Sequence, residues 1–172
     1  YNTMRMNGGF SSRPQFRLAF ARGTGPEFLR DLTVLLQAQG EMAEYYRPNF
    51  FANTPDILHE YLQDGGRAAF RIRLLLASTL SPSYGIYSGY ELCENVPVRR
   101  GSEEYLDSEK YELKHRDFSA PGNIRADVTR LNRIRREHPA LQRLDNLRFL
   151  ETENELVLAY LKRWPGDDLI VV

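Results

Sequence analysis

One apolar helical stretch limits most strongly what this chain can fold into. Residues 65–80, GGRAAFRIRLLLASTL, are apolar around most of the circumference of a helix, which is typical of a helix packed between neighbouring elements. An extended run at residues 50–53 precedes this stretch, and a second, at residues 84–89, follows it. Because strand, helix, strand is the repeating unit of parallel α/β folds, the order predicts a parallel sheet covered by the helix.

The rest of the chain divides by its apolar period. Residues 24–45 and 126–138 have apolar side chains at helical intervals, and Pro139 ends the second of these helices. Residues 90–122 are polar and aromatic without a clear period, and their tyrosines favour an ordered loop. From residue 147 the period becomes two, with turn residues at 153–154 and 165–168. This last pattern predicts three short antiparallel strands.

The composition excludes several classes of protein. In 172 residues, 23 Lys and Arg balance 23 Asp and Glu, so there is no net charge to attract nucleic acid or an anionic membrane. No window approaches the roughly 18 apolar residues of a membrane span, and we expect a cytoplasmic protein. The single Cys93 is expected to pack rather than react, and the histidines lack metal-ligand spacing. We therefore expect no metal and no cofactor.

The sequence RPNFFANTPDIL raises the question of what Asp56 does. The apolar run favours a strand that ends near Asn53, because Pro55 has no N–H for a sheet ladder. One explanation is structural: Thr54 caps a helix that begins at Pro55, with Asp56 in the first turn. The other is a functional carboxylate at the C-terminal end of a strand. Local sequence leaves both open.

A second candidate lies in SEKYELKHRDF, residues 108–118. Lys110 and Tyr111 follow a predicted parallel strand, and ligand-binding groups gather in such loops. Charged runs are more commonly solvated surface, and that alternative also stays open.

Four segments, FFANTPDIL, LSPSYGIYSGYEL, EEYLDSEKYELKHRDF and LNRIRREHPAL, in this order and spacing resemble the maltose-1-phosphate maltosyltransferases of the α-amylase superfamily. The resemblance implies an α/β fold, the C-terminal portion of a (β/α)8 barrel followed by the first antiparallel strands of an all-β sandwich domain. On that template residues 50–53 are barrel strand seven, residues 85–89 are strand eight, and residues 126–138 are the final barrel helix.

The same resemblance implies domain boundaries. Residues 23–144 are the last part of the barrel and residues 145–172 begin the sandwich, whereas residues 1–22 match poorly. We interpret the chain as a fragment of a longer polypeptide that is inactive alone. The resemblance leaves a homodimer of the full-length protein open.

The family's reaction, as the resemblance implies, moves maltosyl from α-maltose 1-phosphate to the non-reducing end of an α-1,4-glucan in bacterial glycogen or α-glucan biosynthesis. Configuration is retained, which requires a nucleophilic carboxylate and a second carboxyl group that acts as acid and base. The resemblance places both of these groups upstream of the matching region. Asp56 matches the carboxylate that stabilises the transition state, and Lys110 and Tyr111 match the pair that contacts the donor. Asn53 and Glu91 are candidates that support these groups or pin the loops.

Two other functions are carried as alternatives. An α-glucan hydrolase of the same superfamily has a similar barrel end, although ordinary amylases lack the SEKYE segment of residues 108–112. A catalytically inactive glucan-binding or interaction module is the alternative from another class, because the nucleophile and the acid are not identified in this chain.

Overall fold

The fold belongs to the mixed α/β class. The computed structural model describes residues 49–109, 111–154 and 156–172. Within these residues the α-helices are α1 (Glu60–Asp64), α2 (Gly66–Leu80) and α3 (Arg125–Glu137). Short 3₁₀ helices lie at Tyr90–Leu92 and Pro139–Gln142. The strands are β1 (Asn49–Phe51), β2 (Ser83–Gly85), β3 (Leu147–Leu150), β4 (Ala159–Trp164) and β5 (Asp167–Val171).

The strands β1 and β2 pair in parallel, with Phe50 opposite Tyr84. The chain between them contains α2, whose residues Phe70 and Leu74 are buried in the same apolar core as Phe50. The predicted strand, helix, strand unit is therefore confirmed. β2 ends earlier than predicted, and the backbone N–H of Tyr87 donates to a side chain rather than to the sheet.

A tight turn, rather than a helix, follows β1. Thr54 and Ile57 pair across this turn, and the N–H of Ile57 donates to the carbonyl of Thr54 at 3.3 Å. Pro55 and Asp56 occupy the exposed tip between them. Proline suits this position because its fixed φ favours the first central residue of a turn.

The helix-capping explanation of Asp56 is consequently wrong. The next helix, α1, begins only at Glu60, and its N-cap is His59, whose Nδ1 accepts the N–H of Tyr61 at 3.1 Å. Asp56 lies before this cap and outside the first helical turn, where a carboxylate would favour the helix dipole.

The helix α3 confirms the helix predicted for residues 126–138, and it ends before Pro139 as expected. Its buried Arg135 donates to the carbonyls of Ser78, Ser81 and Pro82, the last at 2.7 Å. The final carbonyls of a helix have no partner within that helix. The Arg135 guanidinium therefore gives hydrogen bonds to carbonyls at the C-terminal end of α2, and these bonds hold α2 and α3 together.

An antiparallel sheet of β3, β4 and β5, in that order, confirms the strands predicted from the period of two. Phe149 pairs with Tyr160, and Trp164 pairs with Asp167 next to a tight turn. The hydroxyl of the buried Tyr160 lies 2.5 Å from that of Thr79 in α2. The antiparallel sheet is therefore packed on the C-terminal end of α2.

Several sequence predictions concern positions that the structure describes only in part. The helix predicted for residues 24–45, the poorly matching residues 1–22, and Lys110 lie outside the described residues.

Among the described residues, no helix is both long and apolar enough to span a bilayer, and no group of His, Cys, Asp and Glu side chains is arranged to hold a metal. Cys93 packs against the core, and burial raises the pKa of its thiol.

Candidate functional site

The candidate site lies where the chain leaves the C-terminal ends of β1 and β2. Asp56 is exposed at the tip of the turn after β1, and Asn53 is buried just before that turn. The carboxyl ends of neighbouring parallel strands meet at one edge of a sheet, and ligand-binding groups gather there in α/β folds. The loop that follows β2 reaches the same edge, where it contacts Asn53.

Asn53 joins three segments of the chain at this edge. Its side chain is 1% exposed, its Oδ1 accepts the N–H of Tyr87 at 2.7 Å, and its Nδ2 donates to the hydroxyl of Tyr105 at 2.6 Å. Burial raises the pKa of Tyr105 well above that of a free phenol, so this hydroxyl stays neutral. Through these hydrogen bonds Asn53 holds the loops that contain Tyr87 and Tyr105 in place. A supporting role in catalysis stays a prediction.

Tyr87 extends the connection to the turn at residues 108–111. Its hydroxyl accepts the N–H of Glu109 at 3.1 Å and lies 3.5 Å from the hydroxyl of Ser108. Its ring packs on that of Tyr105, with 5.4 Å between centroids. The N–H of Tyr111 donates to the carbonyl of Ser108 at 3.0 Å, which closes the turn. Tyr111 is 74% exposed.

An ion-pair network holds the base of the same loop. The side chain of Arg116 is 4% exposed, and its guanidinium donates to both carboxylate oxygens of Glu94 at 2.7 and 3.2 Å. It also contacts the carboxylate of Glu109 at 2.7 Å. The hydrogen bond from Arg116 lowers the pKa of Glu109, and the bonds to Glu94 and Glu109 raise the pKa of Arg116. Bidentate pairs of this kind fix both distance and orientation.

The long loop before this turn is itself ordered, as its tyrosines predicted. Val96 and Val98 face Leu106 and Glu104 in a short hairpin with backbone hydrogen bonds of 3.0 and 2.9 Å. The N–H of Leu58 donates to the carbonyl of Glu103 at 2.5 Å, which docks the hairpin beside the segment that leads into α1.

Glu91 lies apart from these contacts. Its carbonyl accepts the N–H of Ile124 at 2.7 Å, while its buried Oε2 has no hydrogen-bond donor among the described residues. Among the described residues, no hydrogen bond joins the Glu91 carboxylate to Asn53, Glu109 or Tyr111. Of the predicted residues, the structure thus connects Asn53 with the turn that carries Tyr111, and it does not connect Glu91.

Sequence reasoning did not single out Tyr87, Tyr105, Glu94 or Arg116. None of them belongs to a motif whose chemistry can be recognised from spacing. The one available signal is the density of tyrosines between β2 and the 108–111 turn, which indicates order but does not identify partners.

No protein-family model matches the chain. It is 58% identical over 162 residues, 91% of its length, to alpha-1,4-glucan:maltose-1-phosphate maltosyltransferase 2 of Streptomyces coelicolor. It is 59% identical over 155 residues, 88% of its length, to maltosyltransferase 1 of the same organism. Identity to the maltosyltransferase of Methylacidiphilum infernorum is 52% over 134 residues, 76% of the chain. By sequence, the chain belongs to the family of these maltosyltransferases.

The chain spans only part of the length of the maltosyltransferases that it matches. The matched region is 24%, 22% and 20% of these three relatives, in the same order. Among the predicted residues that the structure describes, Asp56 and Tyr111 are exposed. The buried Asn53 instead organises the backbone around them.

Proposed function

We propose that this chain is a segment of a retaining glycosyltransferase that moves maltosyl from α-maltose 1-phosphate to the non-reducing end of an α-1,4-glucan. The observation that carries the proposal is 58% identity over 91% of the chain to a protein named for that donor and acceptor. Because the chain covers 24% of that relative, the activity is proposed for the polypeptide that contains this sequence. The hydrolase alternative is not favoured, since the relatives carry the transferase name.

The proposal includes a domain assignment. Residues 23–144 contribute the last part of a (β/α)8 barrel, and residues 145–172 contribute the first strands of an all-β sandwich. The parallel pairing of β1 and β2 around α2 supports the barrel part. The antiparallel sheet of β3, β4 and β5 supports the sandwich part. In such a barrel the end of β1 faces the substrate.

Asp56 is proposed to stabilise the transition state. A retaining reaction passes through a flattened sugar ring that carries positive charge, and the carboxylate can hydrogen-bond its hydroxyls more strongly than those of the ground-state chair. The exposed position of Asp56 at a strand end supports this role. The nucleophile and the general acid come from other parts of the polypeptide, and no described residue is assigned to either.

Lys110 and Tyr111 are proposed to bind the maltosyl donor. An ammonium group donates to sugar hydroxyls or phosphate, and a phenol offers both a hydroxyl and an apolar face to a sugar ring. The exposure of the Tyr111 side chain supports its part of this assignment.

The remaining proposals are a cytoplasmic location and, as an open question for the complete protein, a homodimer.

A product assay tests the proposal and separates it from the alternatives. The polypeptide that carries this sequence is incubated with α-maltose 1-phosphate and a maltooligosaccharide acceptor, and phosphate and oligosaccharide lengths are measured. The proposed transferase releases phosphate and lengthens the acceptor by one maltosyl group. Shortened acceptor without use of the donor would identify the hydrolase. Glucan binding without phosphate release would identify the non-catalytic module.

A further inference from the structure

Two side chains reach Glu109 from different parts of the fold. The hydroxyl of Tyr87, just beyond β2, accepts the backbone N–H of Glu109 at 3.1 Å. The guanidinium of Arg116 contacts the Glu109 carboxylate at 2.7 Å. Glu109 lies within the turn that the hydrogen bond from Tyr111 N–H to the Ser108 carbonyl closes. Because one contact holds the main chain and the other the side chain, the turn is restrained in both position and rotation.

Both anchoring side chains are themselves held. The N–H of Tyr87 donates to the buried Asn53, and its ring packs on Tyr105. Arg116 is fixed by its bidentate contact with Glu94. A loop restrained by such groups before its ligand arrives loses less conformational freedom on binding than an unrestrained loop.

On the basis of the proposed function, we propose that Tyr87 and Arg116 are positioning residues that hold the 108–111 turn so that Tyr111 meets the donor sugar. Both side chains act through Glu109, and the role assigned to them involves no contact with the reacting atoms. When the turn is not held, part of the free energy of donor binding is used to order it. The donor is then bound more weakly in the ground state and in the transition state by the same amount. Such a change raises KM for the donor and leaves kcat nearly unaltered.

The test compares two Tyr to Phe variants in the full-length polypeptide that carries this sequence. Tyr87→Phe removes only the hydroxyl that accepts from Glu109, since its ring and its N–H remain. We expect KM for α-maltose 1-phosphate to rise roughly 3- to 10-fold, with kcat within about 2-fold of the parent. The matched control is Tyr84→Phe, which lies in β2 and loses a 2.6 Å hydrogen bond to Asn132 of α3 instead. This control should keep the parent KM.

Amide hydrogen exchange gives a second measurement that does not depend on turnover. Exchange of the peptide containing Glu109 and Tyr111 should accelerate in Tyr87→Phe and stay unchanged in Tyr84→Phe. Arg116→Lys keeps the positive charge but loses the planar fork that bridges Glu94 and Glu109, and it should reproduce the rise in KM.

The outcomes separate this inference from the proposed function. If the parent transfers maltosyl but Tyr87→Phe keeps its KM and exchange rate, the positioning role is overturned and the proposed function stands. Equal losses in Tyr87→Phe and Tyr84→Phe, with equal falls in Tm, would also overturn it, because they would indicate general destabilisation. A parent that releases no phosphate overturns the proposed function, and the positioning role with it.

Discussion

The side-chain amide of Asn53 donates a 2.6 Å hydrogen bond to the hydroxyl of Tyr105, which lies 52 residues further along the chain. Both side chains are buried, and the carbonyl oxygen of the same amide accepts the N–H of Tyr87. Buried polar groups that lose a partner retain the full cost of their desolvation. This pair therefore links the stability of the fold to the order of the candidate site.

The first prediction concerns this shared amide. Asn53→Ala should lower the free energy of unfolding by about 2 to 4 kcal/mol, because it leaves the buried Tyr105 hydroxyl and the part-buried N–H of Tyr87 without this partner and creates a small cavity. Tyr105→Phe removes one of the two contacts and should cost roughly 1 to 2 kcal/mol. Thermal unfolding of the two variants and the parent measures the difference. Equal costs would mean that the contact with Tyr87 contributes nothing.

The second prediction concerns Asp56. In the full-length polypeptide that carries this sequence, Asp56→Asn should reduce maltosyl turnover by roughly 100-fold or more, because it weakens a charge-assisted contact made chiefly in the transition state. Tm should change less than turnover, since Asp56 lies exposed in a turn and is not the N-cap of α1. Turnover and Tm of the same preparation measure both effects. Near-parent turnover in the folded variant would contradict the catalytic role.

The third prediction concerns Lys110. Lys110→Ala should raise KM for α-maltose 1-phosphate more than it lowers kcat, because the lost contact serves donor binding. Steady-state kinetics with varied donor and saturating acceptor measure the two constants separately. A fall in kcat at unchanged KM would instead place Lys110 in transition-state stabilisation.

The fourth prediction is a pH dependence from His59. Burial, with Arg73 nearby, lowers the pKa of His59 from 6.5 to about 4 in the folded state. Between these values the unfolded chain binds more protons than the folded chain, so stability falls as the pH drops from about 6.5 to about 4. The loss attributable to His59 is up to about 3 kcal/mol.

His59→Asn tests this assignment, because asparagine also accepts a hydrogen bond at an N-cap but does not titrate. The variant should show a weaker decline of Tm with falling pH than the parent does. A slope unchanged by His59→Asn would assign the decline to other groups.

The fifth prediction concerns the contact between Tyr160 and Thr79, whose hydroxyls lie 2.5 Å apart. In a double-mutant cycle of Tyr160→Phe and Thr79→Val, the two changes should be non-additive by about 0.5 to 1.5 kcal/mol. Thermal unfolding of the four proteins gives this coupling. Additive effects would show that the antiparallel sheet does not depend on this contact with α2.

The elements of the fold could be predicted where the sequence pattern is long and regular. α3 and the strands β3, β4 and β5 follow from apolar periods of 3.6 and 2, and α2 follows from a long stretch that is apolar around most of a helix. The start of α1 could not be predicted in this way. Thr-Pro-Asp fits both a helix entrance and a turn, and only the pairing of Thr54 with Ile57 decides for the turn.

The sequence drew attention to the exposed Asp56 and Tyr111 and to the buried Asn53, whose functional roles stay predictions. Tyr87 and Arg116 also lie in segments that carry the resemblance, but they gain their significance from contacts with Glu109, which lies 22 and 7 positions from them. Residue type alone does not reveal such pairings. The chain contains many tyrosines and charged residues, so the sequence does not show which of them contact Glu109. The contacts in the structure identify them.

The contacts of Asn53 with Tyr87 and Tyr105 also set a condition for building chimeras between related enzymes. A crossover placed between Asn53 and β2 would take Asn53 from one parent and both tyrosines from the other. If the second parent arranges its loop differently, the inherited amide meets the wrong partners even when every helix and strand is intact. Recombination that exchanges residues 53–116 as one block keeps the contacts together and transfers the loop with its own supports.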